Sequence, residues 1–179
     1  MSDIFMYDFG DGNGAVEARR HSNGGGIVAL TATVADTAYI GEDARVFGNA
    51  WVSRNTRVFG SAEISGNSWV YGNAQVYGNA RVFGDAKVSD NAKIYGDAKI
   101  SGDAWVRGDA QVYGNTEVFE HAEISDNAKV YENARIFGKA QVYGSAQVFG
   151  NARILENALV YGDMKLSSDM SGNEPMPSA

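Results

Sequence analysis

The chain has 179 residues, 44% of them hydrophobic, and carries a formal net charge of −7. This length and composition predict one soluble domain with a sizeable core and argue against an intrinsically disordered chain. Cysteine is absent, which excludes disulfides, a thiolate nucleophile and a thiolate metal site. We therefore expect the fold to be stabilised by packing alone.

Two classes of partner are not expected from the sequence. The first residues, MSDIFMYDFGDGNG, have neither the basic region nor the long apolar run of a signal peptide, and no stretch approaches the roughly 20 apolar residues of a spanning helix. We therefore expect a chain that is cytoplasmic at synthesis and has no membrane partner. Acidic and basic residues are intermixed, which argues against a nucleic-acid partner because such binders concentrate Lys and Arg on one face.

Residues 1–27 precede the repeats and are predicted to form an N-terminal cap or docking segment. Their apolar stretch IFMYDF is expected to pack over the first coil. The glycines Gly24, Gly25 and Gly26 are expected to supply flexible backbone where the repeats begin. A phosphate-binding loop is the alternative for these glycines, although the flanking strand and helix and the Walker lysine are missing.

Residues 28–166 contain an uninterrupted six-residue repeat. Val or Ile recurs every six residues from Val28 to Val160, and Leu166 closes the series. Two residues before each of these positions the sequence almost always has Ala, so the consensus is V(F/Y)GNAx. A fixed period of this kind is the signature of a solenoid.

Each repeat predicts one short strand followed by one corner. Ala and Val alternate with a variable residue, which is the pattern of a strand with one buried face. The Gly and Asn that follow tolerate the left-handed backbone conformation of a sharp corner. Such short strands cannot return as hairpins and keep the same side inward, so they must stack as parallel coils. With three repeats per coil, the chain is predicted to be all-β, a triangular prism of about eight coils.

The repeat resembles the hexapeptide-repeat superfamily of left-handed parallel β-helices. The family motif is an aliphatic residue followed four positions later by a small one, as in Val46 with Ala50 and Val82 with Ala86. The resemblance covers residues 28–166 and implies a left-handed prism and a homotrimer. The variants VFGNA, VYGNA and IYGDA are most similar to uncharacterised bacterial and phage-borne solenoids, which implies a virion-associated location as an alternative.

Residues 167–179 read SSDMSGNEPMPSA, a polar stretch with two prolines. They are predicted to form a flexible C-terminal tail.

The outward side chains are expected to form columns, because residues 18 apart lie one above the other. One face carries every tryptophan of the chain and is predicted to be an oligomer or partner interface. Its residues are Trp51, Trp69, Tyr71 and Trp105. A second face carries an aromatic ladder that either holds neighbouring coils together or stacks on sugar rings. Its residues are Phe59, Tyr77, Tyr95, Tyr113, Tyr131 and Phe149.

Three function classes are compatible with these patterns. The superfamily resemblance implies an acyl-CoA-dependent acyltransferase, for which His121 is the only candidate base in the repeats. A solvated corner histidine is the simpler interpretation, since no orienting partner or loop-built pocket is evident. His21 and His121 are too few for a three-histidine zinc site, and no cofactor or metal is predicted. The leading hypothesis is a non-enzymatic rigid rod, a structural or interaction module; a carbohydrate-binding module is the third.

Overall fold

The computed structural model describes residues 3–172, which form strands, turns and no helix. In chain order the strands are β1 Ile4–Asp8, β2 Ala15–Arg20, β3 Ile27–Ala29, β4 Thr33–Val34, β5 Tyr39–Ile40, β6 Arg45–Val46, β7 Trp51–Val52, β8 Arg57–Val58, β9 Glu63–Ile64, β10 Trp69–Val70, β11 Gln75–Val76, β12 Arg81–Val82, β13 Lys87–Val88, β14 Lys93–Ile94, β15 Lys99–Ile100, β16 Trp105–Val106, β17 Gln111–Val112, β18 Glu117–Val118, β19 Glu123–Ile124, β20 Lys129–Val130, β21 Arg135–Ile136, β22 Gln141–Val142, β23 Gln147–Val148, β24 Arg153–Leu155, β25 Leu159–Val160, β26 Lys165–Leu166 and β27 Met170–Ser171.

From β3 onward every third strand belongs to the same parallel sheet. Sheet A runs from β3 through β6 to β27, sheet B from β4 to β25, and sheet C from β5 to β26. Sheets B and C hold eight strands each, which confirms the predicted solenoid of about eight coils. Residues 18 apart are paired, as Trp51 with Trp69 and Lys87 with Trp105. The predicted columns of outward side chains are therefore real.

The core is a continuous column of Ala, Val and Ile from all three sheets. These side chains are almost completely shielded from solvent from the second coil to the eighth. Three polar residues take the place of Ala, and each hydroxyl donates to the carbonyl oxygen three residues earlier: Thr56 to Ser53 at 2.7 Å, Ser68 to Ser65 at 2.7 Å and Thr116 to Tyr113. A local acceptor is what makes a buried hydroxyl tolerable.

The corners from Gly48 to Gly162 turn on a residue with positive φ, and this residue stands at the Gly position of the repeat. Gly48 and Gly66, for example, both have a φ of 66°. The expectation that Asn also takes the left-handed conformation is wrong, because no Asn among residues 3–172 has a positive φ. The Asn side chains instead form ladders between coils. Asn49 donates to Asn67 at 3.2 Å, and Asn67 donates to Asp85 at 3.0 Å.

Six corners carry a residue other than glycine at positive φ, and five of the six are acidic: Arg54, Asp90, Glu120, Asp126, Glu132 and Glu156. Four of the carboxylates accept the backbone N–H of the glycine that stands directly over them in the next coil. Asp90 accepts from Gly108 at 3.0 Å, and Glu132 accepts from Gly150 at 2.8 Å. A hydrogen bond to a charged acceptor offsets part of the cost of the left-handed conformation.

The N-terminal segment forms an antiparallel hairpin, β1 and β2, that extends sheet A beyond β3. Its aromatic side packs on the outer surface of the solenoid, where the ring of Phe9 stacks on that of Phe47 at 4.7 Å. Both of these rings are buried. The stretch IFMYDF therefore covers the outside of sheet A.

The segment between β2 and β3 covers the free edge of sheet C. Gly26 N donates to Ile40 O at 3.0 Å, and Ile40 N donates to Asn23 O at 3.0 Å. A Cβ atom on Gly24 would lie 2.2 Å from Ile40 O, and one on Gly26 would lie 2.4 Å from Gly41 O. Close approach to the neighbouring backbone is therefore the structural reason for these two glycines.

At the other end, larger side chains replace the small ones of the core. Met164 occupies an Ala position, and Leu166 and Met170 pack against the last coil. Strand β27 pairs with β24 and lies within the segment that was predicted to be a flexible tail. The remainder of that segment, residues 173–179, lies outside the described residues.

Candidate interaction surface

Sheet B carries the predicted tryptophan surface, which comprises Trp51, Trp69, Tyr71 and Trp105. Strands β7, β10 and β16 place the three indoles on the outer side, because the second residue of each strand is an inward Val. The rings line a shallow groove of about 550 Å³. Trp69 is 49% exposed and Trp105 is 36% exposed.

The rings of this surface are tilted against each other. The Trp51 and Trp69 centroids lie 5.1 Å apart with an angle of 55° between the planes, and Tyr71 lies 6.4 Å from Trp51 at 46°. A tilted neighbour covers less of a ring face than a parallel one. The geometry therefore leaves apolar ring surface open to solvent, which a monomeric protein seldom does over a contiguous patch.

Two cations lie among the rings without an acidic partner. Lys87 stands between Trp69 and Trp105 in the same column, and Arg54 lines the groove beside Trp51. Within residues 3–172, neither cation forms an ion pair. Counting by 18 residues places Lys87 on this face, but neither cation was predicted to belong to the interface.

Trp105 is held in place by its neighbours. Arg107 lies over the indole, with its guanidinium carbon 4.9 Å from the ring centroid. The same guanidinium donates to Glu123 Oε1, with Nε at 2.8 Å. The indole Nε1 donates to Ser89 Oγ at 3.4 Å. These contacts fix the orientation of a large side chain before any partner arrives, which reduces the entropy cost of binding.

The aromatic ladder on sheet C has a different geometry. Its rings are parallel within 10° at centroid distances of 4.7 to 5.3 Å from Phe59 to Phe149. Each inner ring therefore has a neighbouring ring on both faces, and mainly edges point outward. This arrangement favours contact between coils as the role of the ladder, since a sugar ring stacks on an open aromatic face.

Burial raises the pKa of Tyr77, Tyr95 and Tyr113 in this ladder above the ordinary value near 10. For Tyr95 the neighbouring phenols of Tyr113 and Tyr77 add to the effect of burial. For Tyr113 the second cause is Tyr131 and the third is Glu132.

We expect the ladder to make the folded state less stable above pH 10. The unfolded chain releases its phenolic protons near pH 10 while the folded chain retains them. The ladder's contribution to the free energy of unfolding is thus fully present below pH 10 and falls as the pH rises through the folded-state pKa values. Urea unfolding at pH 8 and at pH 11 measures this change, and Tyr95→Phe should reduce it. An equal change in both proteins would contradict the role of Tyr95.

Sheet A carries a ladder of mixed charges instead. Glu63 lies between Arg45, at 3.7 Å, and Arg81, at 3.0 Å. Glu117 bridges Lys99 at 3.5 Å and Arg135 at 3.0 Å in the same way. Exposed pairs of this kind contribute up to about 1 kcal/mol each. Contacts between neighbouring coils therefore account for the charged side chains on this face.

His121 stands at a corner after β18, and its Nδ1 lies 3.3 Å from Asp103 Oδ2. The side chains are 61% and 59% exposed, and His121 does not line the groove of the tryptophan surface. Sequence reasoning missed Asp103, although it stands 18 residues before His121. The pair supplies an oriented imidazole, but on an open surface.

Residues 3–172 contain no cluster of three or more His, Asp or Glu side chains placed to hold a metal ion. In the same range, no helix has the length and apolarity needed to cross a membrane.

Two coils of the chain resemble a known repeat. Residues 74–90, which span β11 to β13, and residues 146–163, which span β23 to β25, match the family model described as YdcK Beta solenoid repeat. A search of curated proteins found no match to the chain. Each matched segment supplies one strand to each of the three sheets, so the match and the structure agree on the repeating unit. The chain is thus similar to YdcK β-solenoid repeats over these two coils, and its fold is a β-solenoid.

Proposed function

We propose that the chain is a non-enzymatic structural module, a rigid β-solenoid rod that associates with further copies of itself through the tryptophan surface. The observation that carries this proposal is the groove on sheet B, where three indoles and Tyr71 share one patch and leave ring faces open. Trp and Tyr are the side chains most enriched where binding energy concentrates in protein interfaces.

Rigidity supports a structural role. Every coil from the second to the seventh is paired with a coil on each side, and all share one apolar core. Such a rod holds its surface residues at fixed distances. A partner therefore binds without the entropy cost of ordering that surface. Within residues 28–166, no loop interrupts the coils to build an enclosed pocket over the surface.

Charge supports another copy of this chain as the occupant. The groove offers two cations, Arg54 and Lys87, that form no ion pair within residues 3–172, against one carboxylate, Asp90, whereas the chain as a whole carries a net charge of −7. A second copy therefore brings an excess of carboxylates to this site. The resemblance to hexapeptide-repeat proteins favours three copies, and the resemblance to phage-borne solenoids favours a virion or accessory setting.

Light scattering on a size-exclusion column tests the proposal. We expect the wild-type chain of 19.1 kDa to elute with the mass of three copies, or a multiple of three. We expect Trp69→Lys to lower that mass, because it places a charge in the centre of the apolar patch. Leu159→Lys is the matched control: Leu159 is also exposed on sheet B, but outside the groove.

An unchanged mass for Trp69→Lys would remove the tryptophan surface as the self-association site. A monomeric wild-type chain would leave the patch to a different protein. A loss of mass for Leu159→Lys as well as for Trp69→Lys would point to a general loss of solubility or fold, which circular dichroism would reveal.

Acyl transfer is the second candidate function, and the pair of Asp103 with His121 is the observation that favours it. A carboxylate that accepts a hydrogen bond from one imidazole N–H orients the other nitrogen for base catalysis. Retention on immobilised coenzyme A tests this candidate. An acyltransferase should also lose its transferase activity with His121→Ala. No retention, or activity that His121→Ala leaves intact, would argue for a solvated corner histidine.

A further inference from the structure

The outer edge of the N-terminal hairpin is a second surface of the chain, distinct from the tryptophan surface. Strand β1 pairs with β2 on one side only, and no strand of residues 3–172 pairs with its other side. The directions of the backbone groups along β1 follow from the neighbouring strands.

The pairing of β2 with β3 sets these directions. Leu30 N donates to Glu17 O at 2.9 Å, and His21 N donates to Gly26 O at 2.8 Å. Glu17, Arg19 and His21 thus point their N–H and C=O groups towards β3. Because these groups alternate along a strand, Val16, Ala18 and Arg20 point theirs towards β1.

The same alternation continues into β1. Phe5 is opposite Ala18 and Tyr7 is opposite Val16, so Phe5 and Tyr7 form the hydrogen-bonded pairs with β2. The N–H and C=O groups of Ile4, Met6 and Asp8 therefore point away from the hairpin. They form a free edge of a strand five residues long.

We infer that this edge pairs with the same edge of a second copy of the chain. In an antiparallel arrangement with a two-fold axis at Met6, Met6 faces Met6 of the other copy, and Ile4 faces its Asp8. This register satisfies all the free groups of Ile4, Met6 and Asp8 on both copies, through about six backbone hydrogen bonds. Registers centred on Ile4 or Asp8 leave groups unpaired.

The side chains fit the same register. Ile4 is 60% exposed and Met6 is 62% exposed, so the two Met6 side chains would shield each other and their Ile4 neighbours. Arg19 on β2 is the partner of Ile4 on β1, and Ile4 in turn faces Asp8 of the second copy. Arg19, Ile4 and that Asp8 therefore lie in one row across three strands. The row places Arg19 and that Asp8 two strands apart, about 10 Å between backbones, within reach of an arginine side chain. The two-fold axis produces this opposite-charge contact twice.

The edge also lacks the usual protection against pairing. Exposed edges are commonly blocked by Lys, Pro or a covering segment. Strand β1 reads IFMYD and has neither Lys nor Pro. The free edge of β5, in contrast, is covered by the segment from His21 to Gly26.

Met6→Pro tests the inference, and it is best made in the Trp69→Lys background, where the tryptophan surface cannot hold copies together. Proline removes the outward N–H of Met6, but no hydrogen bond inside the hairpin depends on this group. We expect Trp69→Lys to form dimers by sedimentation velocity. Adding Met6→Pro should raise the dissociation constant at least about tenfold, because the two hydrogen bonds of the Met6 pair are lost. Monomers of Trp69→Lys at all concentrations, or dimers unaffected by Met6→Pro, would overturn the inference.

Amide hydrogen exchange gives a second test that needs no change in β1. In the Trp69→Lys protein, the amides of Ile4, Met6 and Asp8 should be protected at high protein concentration and exchange rapidly at low concentration. The amides of Phe5 and Tyr7 should be protected at both, since they bond to β2. Rapid exchange of the Met6 amide at high concentration would refute the pairing, whatever the state of the tryptophan surface.

Discussion

Gly66→Ala is expected to lower the free energy of unfolding by about 2 to 3 kcal/mol. Gly66 turns a corner at a φ of 66°, and a left-handed conformation costs a residue with a Cβ atom roughly 1 to 2 kcal/mol. The added Cβ would also lie 2.7 Å from Gly84 N and 2.8 Å from Gly84 O in the next coil. Chemical denaturation followed by circular dichroism measures the loss.

Gly162→Ala is the matched control for the crowding. Gly162 has a φ of 61°, but a Cβ atom there meets nothing within 4 Å. This variant should therefore lose only the conformational part, about 1 kcal/mol. Equal losses at both positions would show that the close contact of the added Cβ with Gly84 has no effect on stability.

Gly66→Asp is expected to be better tolerated than Gly66→Ala by about 1 kcal/mol. It would place a carboxylate under Gly84, as Asp90 lies under Gly108 in the natural sequence. The same backbone N–H then gains an acceptor, which alanine cannot offer. If aspartate were the more damaging of the two substitutions, the carboxylates at the other corners would need a different explanation.

Ile94→Ala is expected to cost about 3 kcal/mol, because it opens a cavity in the middle of the core column. Ile94 is fully buried and pairs with Val76 in one neighbouring coil and Val112 in the other. Coils on both sides lose contacts, and neither can collapse without leaving its register. Ile94→Val should cost only about 1 kcal/mol, since one methyl group is lost.

The matched control for position is Leu166→Ala. Leu166 stands in the same sheet but pairs with Val148 on one side only. In a solenoid each coil contacts only its neighbours, so a terminal coil can loosen without disturbing the rest. Urea titration followed by tryptophan fluorescence should show a clear loss for Ile94→Ala and little for Leu166→Ala, because the tryptophans lie in the second, third and fifth coils, away from the last coil. Equal losses would mean that the rod unfolds as one unit.

The two proposed contacts use separate parts of the chain. The tryptophan surface lies on sheet B, and the β1 edge belongs to the hairpin that extends sheet A. Trp69→Lys and Met6→Pro therefore act independently, and the four combinations of the two substitutions distinguish the failure of one contact from the failure of the other.

The repeat alone determined the architecture of residues 28–166. A strict six-residue period leaves one way to bury every Ala and Val, and stacked coils of three strands provide it. The same period places residues 18 apart in columns, so the tryptophan surface and the aromatic ladder could be predicted by counting. Counting would also have paired Asp103 with His121.

The tertiary structure decided what the period does not encode. The two aromatic surfaces differ in the angle between neighbouring rings. The planes of Trp51 and Trp69 stand at 55° and leave ring faces open, whereas the rings of the ladder are parallel and cover each other. The course of residues 3–26 has no repeat to guide it. The pairing of β2 with β3 and the contact of Phe9 with Phe47 set where the hairpin lies. The direction of the free groups on β1 follows from this hairpin, since a register that differs by one residue would turn the other set outward.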